Sequence, residues 1–430
     1  MFNFAKMTSE ASVAKDSKAS RDDLCLLLMD LISDRIENVT DQIMSLKAND
    51  WESLLNIARQ HRLQVILYEG LSELDDEFVP ENIMARLKAV KKTILMRHLS
   101  QRLCQKKITE ILEREQICHA FLKGLWLSQH IYPNPALRPM RDIDILVEPS
   151  RAIALFERLE GIGYKRYPGN VTPLEYAFSH AHHLPPLICP FSNNIIEIHT
   201  QLIRPEKALR PENPLANVEE LLSRRGRAYV EDEGFYYLDP TDTLLHLIVH
   251  AFDQHSFDNG PSVLIDLKHL LQKCQIDWEY FWGMAERGNW VNGCQLLFAM
   301  CFYYFNISTP DKAKYIDDVP EEIVRSAVLL SLQDINTRQN LAFQIKLKNA
   351  HIDQGWINIL DLVWPKRHIL AEFSGLPLDS LRVRLHYPVW LITKCRQRIF
   401  GEKYSNLNDN IDRYFAINTW LKTSHADQNS

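Results

Sequence analysis

The segment Asp142-Ile143-Asp144-Ile145-Leu146-Val147 alternates carboxylate and aliphatic side chains before it runs on into leucine and valine. Alternation with period two fits a half-buried β-strand. Such a strand sends Asp142 and Asp144 to one face and Ile143, Ile145 and Val147 to the other, towards a core. Aspartate is depleted in strands, and two carboxylates on one face repel each other unless a cation sits between them. A divalent cation such as Mg²⁺, with Mn²⁺ as the alternative, meets that need because hard cations prefer carboxylate oxygens.

A second alternating run, Ile195-Ile196-Glu197-Ile198-His199, places Glu197 and His199 on one face and Ile196 and Ile198 on the other. If the two strands are neighbours, three carboxylates converge on one patch of sheet. Upstream, Ala120-Phe121-Leu122-Lys123-Gly124 is an apolar run ending in glycine, followed by a helix-compatible segment. The order is a glycine turn, then Asp-x-Asp, then a lone acidic residue on a later strand.

That order resembles the nucleotidyltransferase superfamily typified by DNA polymerase beta. The closer likeness is to a poorly characterised bacterial branch with a Lys-Gly turn, an Arg-x-x-x-Asp-hydrophobic-Asp strand and a Glu-hydrophobic-His strand. The likeness covers roughly residues 116–290. One departure is Leu125, where the superfamily usually has a small residue after the turn glycine. The resemblance implies Mg²⁺-dependent transfer of a nucleoside monophosphate from an NTP to an acceptor hydroxyl. It implies catalytic and metal-binding roles for Asp142, Asp144 and Glu197, and nucleotide contacts from Lys123, Gly124 and Arg138. Two metal ions bridged by such carboxylates polarise the α-phosphate, activate the acceptor and stabilise the leaving pyrophosphate. The acceptor is left open among a sugar phosphate, another small molecule, a protein and an RNA end.

At 430 residues the chain suits two or three domains, and with 46% hydrophobic residues it can bury a sizeable core. A net charge of −6 argues against a protein built mainly to hold nucleic acid. The eight cysteines include no Cys-x-x-Cys pair and read as ordinary reduced thiols. Residues 1–20 lack the apolar stretch of a signal peptide, and runs such as Leu296 to Phe305 are too short to span a bilayer. A cytoplasmic protein is the expectation.

The predicted fold class is α+β: a small mixed sheet at 116–239, between a helical region at 21–115 and another at 240–422. Residues 1–20 and 423–430 read as disordered. Asp50 is expected to cap one helix, Pro80 to open a long one and Asp239-Pro240 to start the C-terminal helices. Strands are expected at Gln116–Lys123, Asp142–Val147, His182–Cys189 and Ile195–Thr200, with an edge strand at Tyr229–Leu238. Asp277-Trp278-Glu279 repeats the pattern of Asp50-Trp51-Glu52, more simply read as two helices with similar caps.

Each signal has a plainer reading. The three carboxylates can be a solvated sheet face, Gly124 a simple turn glycine and Lys123 a surface lysine. The basic residues between Lys88 and Lys107 read as a solvated helix face, since aromatic partners for nucleic acid are absent. Strand parity puts Arg141 with Ile143, away from the carboxylates. Histidines 180, 182, 183, 199, 246, 250, 255 and 269 cluster in the sequence. His199 shares Glu197's face and, with His183, is expected to support the site or touch substrate. His246 and His250, four apart on a helix, have metal-ligand spacing and with Asp266 define an alternative, a metal-dependent phosphohydrolase. A third reading is a catalytically silent nucleotide-binding module whose helices bind a partner.

Overall fold

The computed structural model of the chain describes residues 19–35, 39–75, 77–203, 213–307, 319–338, isolated positions between 340 and 376, 380–399 and 407–422. The expected disordered ends lie outside these residues, except for Ala19 and Ser20. The Ser20 hydroxyl accepts from the Asp23 N–H, and Asp23 reaches back to the Ser20 N–H, a reciprocal cap for the first helix.

Helices α1 (Arg21–Leu31), α2 (Thr40–Ser45), α3 (Ala48–Gln60), α4 (Gln64–Leu71) and α5 (Glu81–Arg114) precede the sheet. Asp50 is not the cap expected of it. It lies inside the first turn of α3, where its carboxylate accepts from the Lys47 N–H at 3.1 Å. Asp277, by contrast, is a true N-cap, accepting from the Tyr280 N–H at 3.0 Å. The two Asp-Trp-Glu triplets therefore start their helices differently, and the faint repeat dissolves. Pro80 stands just before α5, which runs 34 residues. The helix ends where Gln116 adopts φ 52° and the Ile117 N–H bonds back to the Leu112 carbonyl at 2.9 Å.

The sheet follows, with β1 (His119–Phe121), β2 (Asp142–Val147), β3 (Lys165–Arg166), β4 (Leu187–Ile188), β5 (Ile195–His199), β6 (Gly226–Val230) and β7 (Glu233–Tyr237). Between them lie α6 (Gly124–Trp126), α7 (Pro149–Gly161), α8 (Leu174–His180) and α9 (Val218–Ser223). The seven strands are ordered β3-β4-β5-β2-β1-β7-β6. The β2–β5 and β1–β7 pairs are parallel and the other pairs antiparallel. This mixed sheet flanked by helices is an α+β fold.

Two strand expectations need correction. Tyr229–Leu238 is a hairpin, folded at Glu231 with φ 56°, so that β7 is internal and β6 forms the edge. Of His182–Cys189, only Leu187–Ile188 is strand. His183 makes a single bridge to His199 instead. Proline at 185 and 186 removes the backbone donors that a longer ladder needs.

Helices α10 (Pro240–Val249), α11 (Ser262–Lys273), α12 (Trp278–Arg287), α13 (Val291–Phe305), α14 (Glu321–Ser331), α15 (Arg367–Ser374), α16 (Tyr387–Ile399) and α17 (Leu407–Lys422) complete the described chain. One apolar core runs from Leu24 to Ile417 through both helical regions and the sheet. Ile143, Ile145, Ile196 and Ile198 point into it and are at most 1% exposed. Burying each contributes about 1.5–3 kcal/mol. A one-residue register slip would move the carboxylates into that core, so burial itself fixes which face they occupy.

Candidate active site

Strands β2 and β5 lie side by side and parallel, with Asp144 opposite Glu197 and Asp142 opposite Ile195. Alternation then puts Asp142, Asp144, Glu197 and His199 on one face. His199 Nε2 lies 3.2 Å from Asp144 Oδ1 and 3.9 Å from Glu197 Oε2. These three side chains each bring a ligand atom within 4.8 Å of the others, the arrangement a single cation needs. Among the described residues no other group of three does so. Asp142 lies outside that trio, although its charge couples to Asp144.

The carboxylates do not share one electrostatic fate. Burial opposes ionisation of Asp144. The hydrogen bond and charge of His199, with Lys123 and His183, outweigh burial and hold this carboxyl well below the usual range. Glu197 is pushed up to about 8 by burial, then by Asp144 and Asp142. Burial, followed by Asp144, also raises Asp142. His183 Nδ1 donates to the Leu184 carbonyl at 2.8 Å, so the neutral ring turns its unprotonated Nε2 towards Glu197 Oε2, 3.8 Å away. Burial keeps this ring neutral down to about pH 4.

Lys123 is half-buried and close enough to the carboxylates to feel their charge. The Leu122 N–H bonds to the Asp144 carbonyl at 3.0 Å, which brings the end of β1 to the carboxylates. Lys123 follows with φ 34°, a conformation that costs a non-glycine residue energy and marks functional turns. Burial lowers its pKa, opposed by Asp144, Asp142 and Glu197. Gly124 next begins α6, which runs into a π-helical turn over Leu127–Ile131. Close packing favours glycine there: an added Cβ would lie 2.7 Å from Met140 Sδ and 3.1 Å from an Arg138 guanidinium nitrogen, so those side chains would have to shift. Leu125 points into the core, 1% exposed.

Arg138 is held by a buried ion pair. Its Nε and a terminal nitrogen bind the two Asp266 oxygens at 2.7 and 2.8 Å, and the Tyr132 hydroxyl donates to Asp266 at 2.7 Å. Asp266 belongs to α11, so a helix from the far end of the chain positions the arginine beside Gly124. This pairing also removes Asp266 from the alternative set with His246 and His250. His246 is buried and His250 half-buried, with rings 5.9 Å apart and perpendicular, and among the described residues they join no three-ligand group. His250 Nδ1 instead lies 3.3 Å from the Asn259 amide.

Two basic residues near the carboxylates were not expected at the site: Arg97 belongs to the helix face read as solvated, and Arg62 lies in no motif. Arg62, at φ 59° between α3 and α4, is close enough to Asp142 to interact with its charge. Arg97 of α5 donates to the Arg141 carbonyl at 3.2 Å. Arg141 stands before the regular strand, and its charge reaches both Asp142 and Glu197 in spite of its parity. The only sequence signal for Arg62 is a cationic side chain in a tight helix–helix connection, and that is not specific.

The donor set suits a divalent cation. Asp144 and Glu197 supply hard oxygens, which Mg²⁺ and Mn²⁺ accept, and the His199 imidazole is compatible with Mn²⁺. No curated protein matches the chain. A family described as uncharacterised nucleotidyltransferase matches residues 47–306, from α3 through α13 and so through helices on both sides of the sheet. That span is more than half of the chain, and the chain belongs to this nucleotidyltransferase family.

Proposed function

We propose that the protein moves a nucleoside monophosphate from an NTP to an acceptor hydroxyl, in a Mg²⁺- or Mn²⁺-dependent reaction of the polymerase-beta-like kind. The observation that carries this reading is the parallel register of β2 and β5, which sets Asp144 opposite Glu197 with His199 between them. In this reading residues 116–239 are the catalytic core and the helical regions at 21–115 and 240–422 border its cleft.

Asp142, Asp144 and Glu197 would hold the cation, and a bound cation would withdraw charge from the α-phosphate and the leaving pyrophosphate. His199 donates through Nε2 to Asp144 and fixes the orientation of that carboxylate. His183, tied through Nδ1 to the Leu184 carbonyl, leaves its Nε2 facing Glu197, which must release its proton before it serves as a ligand. Lys123, now a counter-charge to the carboxylates, turns to phosphate oxygens when the triphosphate enters, beside the backbone of Gly124. Arg138, pre-set by Asp266, and Arg62 offer further positive charge to the phosphates.

The test measures nucleotide and metal together by thermal shift, then asks what label each α-labelled NTP leaves in a cell extract. An NTP alone should bind weakly, because triphosphate and carboxylates repel. With Mg²⁺ or Mn²⁺ present, ligand at about a hundredfold over its Kd stabilises by roughly 2.7 kcal/mol. The Asp144→Asn variant should lose the metal-dependent part. Equal shifts with and without metal, for all four common NTPs, would refute the reading.

A further inference from the structure

The strongest feature outside the active site is the segment from Leu381 through α16. Leu381–His386 forms a short 3₁₀ turn that leads directly into Tyr387–Ile399. Its inner side buries Val383 and Trp390 against Leu370 and Ala371 of α15, in a small apolar cluster separate from the main core. That contact is enough to dock the segment. A second apolar row nevertheless runs along its outer side: Leu381, Leu385, Val389 and Ile392 are 87%, 73%, 55% and 59% exposed. Isolated exposed aliphatics are ordinary, but four on one short segment, with Leu385, Val389 and Ile392 three or four residues apart, make an apolar stripe.

The charge around the stripe is one-sided. Arg382 and Arg384 are exposed beside it, and the sequence adds Lys394, Arg396 and Arg398 in the following turns. From Leu381 to Gly401 there is no aspartate or glutamate, in a chain whose net charge is −6. Positive charge has therefore been concentrated where apolar side chains meet water. An apolar stripe bordered by arginine is the composition of a segment that lies in the interface of an anionic bilayer, with its aliphatic side chains among the acyl chains. Among the described residues no helix is long and apolar enough to cross a membrane. The segment has the chemistry to lie on one. A second copy of this chain would set the exposed Arg382 and Arg384 against the same pair, which like charge opposes.

We propose that the outer side of Leu381–Ile399 docks the protein on an anionic phospholipid surface. The experiment is co-sedimentation of the full chain with vesicles of phosphatidylcholine alone, or of phosphatidylcholine mixed with phosphatidylglycerol, at low and high salt. Two double variants accompany it, Leu385→Gln with Val389→Gln and Arg382→Gln with Arg384→Gln. All four positions are exposed, so folding should survive, as circular dichroism can verify. Binding is expected to the anionic vesicles only and to weaken as salt rises. Each basic residue near such a surface contributes about fivefold, so the arginine pair should lower partitioning about thirtyfold at low salt and far less at high salt. The aliphatic pair should lower it at both. No binding to anionic vesicles, equal binding to neutral ones, or indifference to either pair would overturn the proposal. So would self-association without vesicles that the aliphatic pair abolishes, which would assign the stripe to a second copy.

Discussion

Replacing Glu197 by glutamine in metal-free protein should raise stability, and more so as pH rises. The Glu197 carboxyl ordinarily titrates near 4.5 and is pushed up to about 8 in the folded chain, by burial first and then by Asp144 and Asp142. A raised folded value means that folding is favoured while the group keeps its proton. This contribution is full below pH 4.5 and is lost as pH rises to about 8. At about 1.36 kcal/mol per pH unit the rise amounts to roughly 5 kcal/mol. Water reaches this side chain, which is 21% exposed, and screening leaves something on the order of 2–4 kcal/mol. Glutamine has nearly the same shape and no charge to bury. In EDTA, melting curves of the variant and the parent should coincide near pH 5 and separate by several degrees at pH 9. Adding Mg²⁺ or Mn²⁺ should reverse the order, because only the parent gains a ligand. Parallel curves from pH 5 to 9, or a variant less stable at high pH, would refute the reasoning.

Asp144→Asn should do the opposite of Glu197→Gln. Its carboxyl lies below the usual range, so its contribution is present at neutral pH and lost on acidification, and losing the charged bond to His199 should cost about 1.5–3 kcal/mol in urea unfolding at pH 7. Asp266→Asn leaves Arg138 buried without a counter-charge and should cost about 3 kcal/mol, largely recovered in an Arg138→Met, Asp266→Leu double variant; equal stability of single and double variants would show that the pair is not what matters. Gly124→Ala places a methyl 2.7 Å from Met140 Sδ and should cost about 1–3 kcal/mol, with partial recovery on adding Met140→Ala. A strictly additive loss in that last denaturation series would exclude the clash as its cause.

Part of this site was legible because strand alternation is a rule of backbone geometry. Ile143, Ile145, Ile196 and Ile198 have to be buried, and that alone puts Asp142, Asp144 and Glu197 on the opposite face. Parity ceases to apply where regular strand ends, which is why Arg141 was placed too far away and Arg138 could not be placed. The nucleotide contact expected of Lys123 came from the resemblance alone, since its left-handed backbone turns it in a way that propensity does not anticipate. The Arg138–Asp266 pair joins residues 128 positions apart, and Arg62 reaches Asp142 from a different helix pair. Such contacts depend on tertiary packing and leave no local pattern to read.

The long helix α5 acts as a measuring rod for the molecule. Along it, Arg97 and Gln101 meet the carbonyls of Arg141 and Met140, just ahead of Asp142. Ser100 meets Asn194 in the turn before β5, while Arg102, Gln105 and Lys106 meet the β6–β7 hairpin at Glu231, Tyr237 and Glu233. Three separate loops of the sheet are thus gauged against one rigid object, with the helix advancing about 1.5 Å and turning about 100° per residue. Inserting one residue between Arg97 and Gln105 would rotate one set of contacts off its partners while leaving the other seated. Lineages of this protein should therefore conserve the spacing within α5 even where its side chains drift.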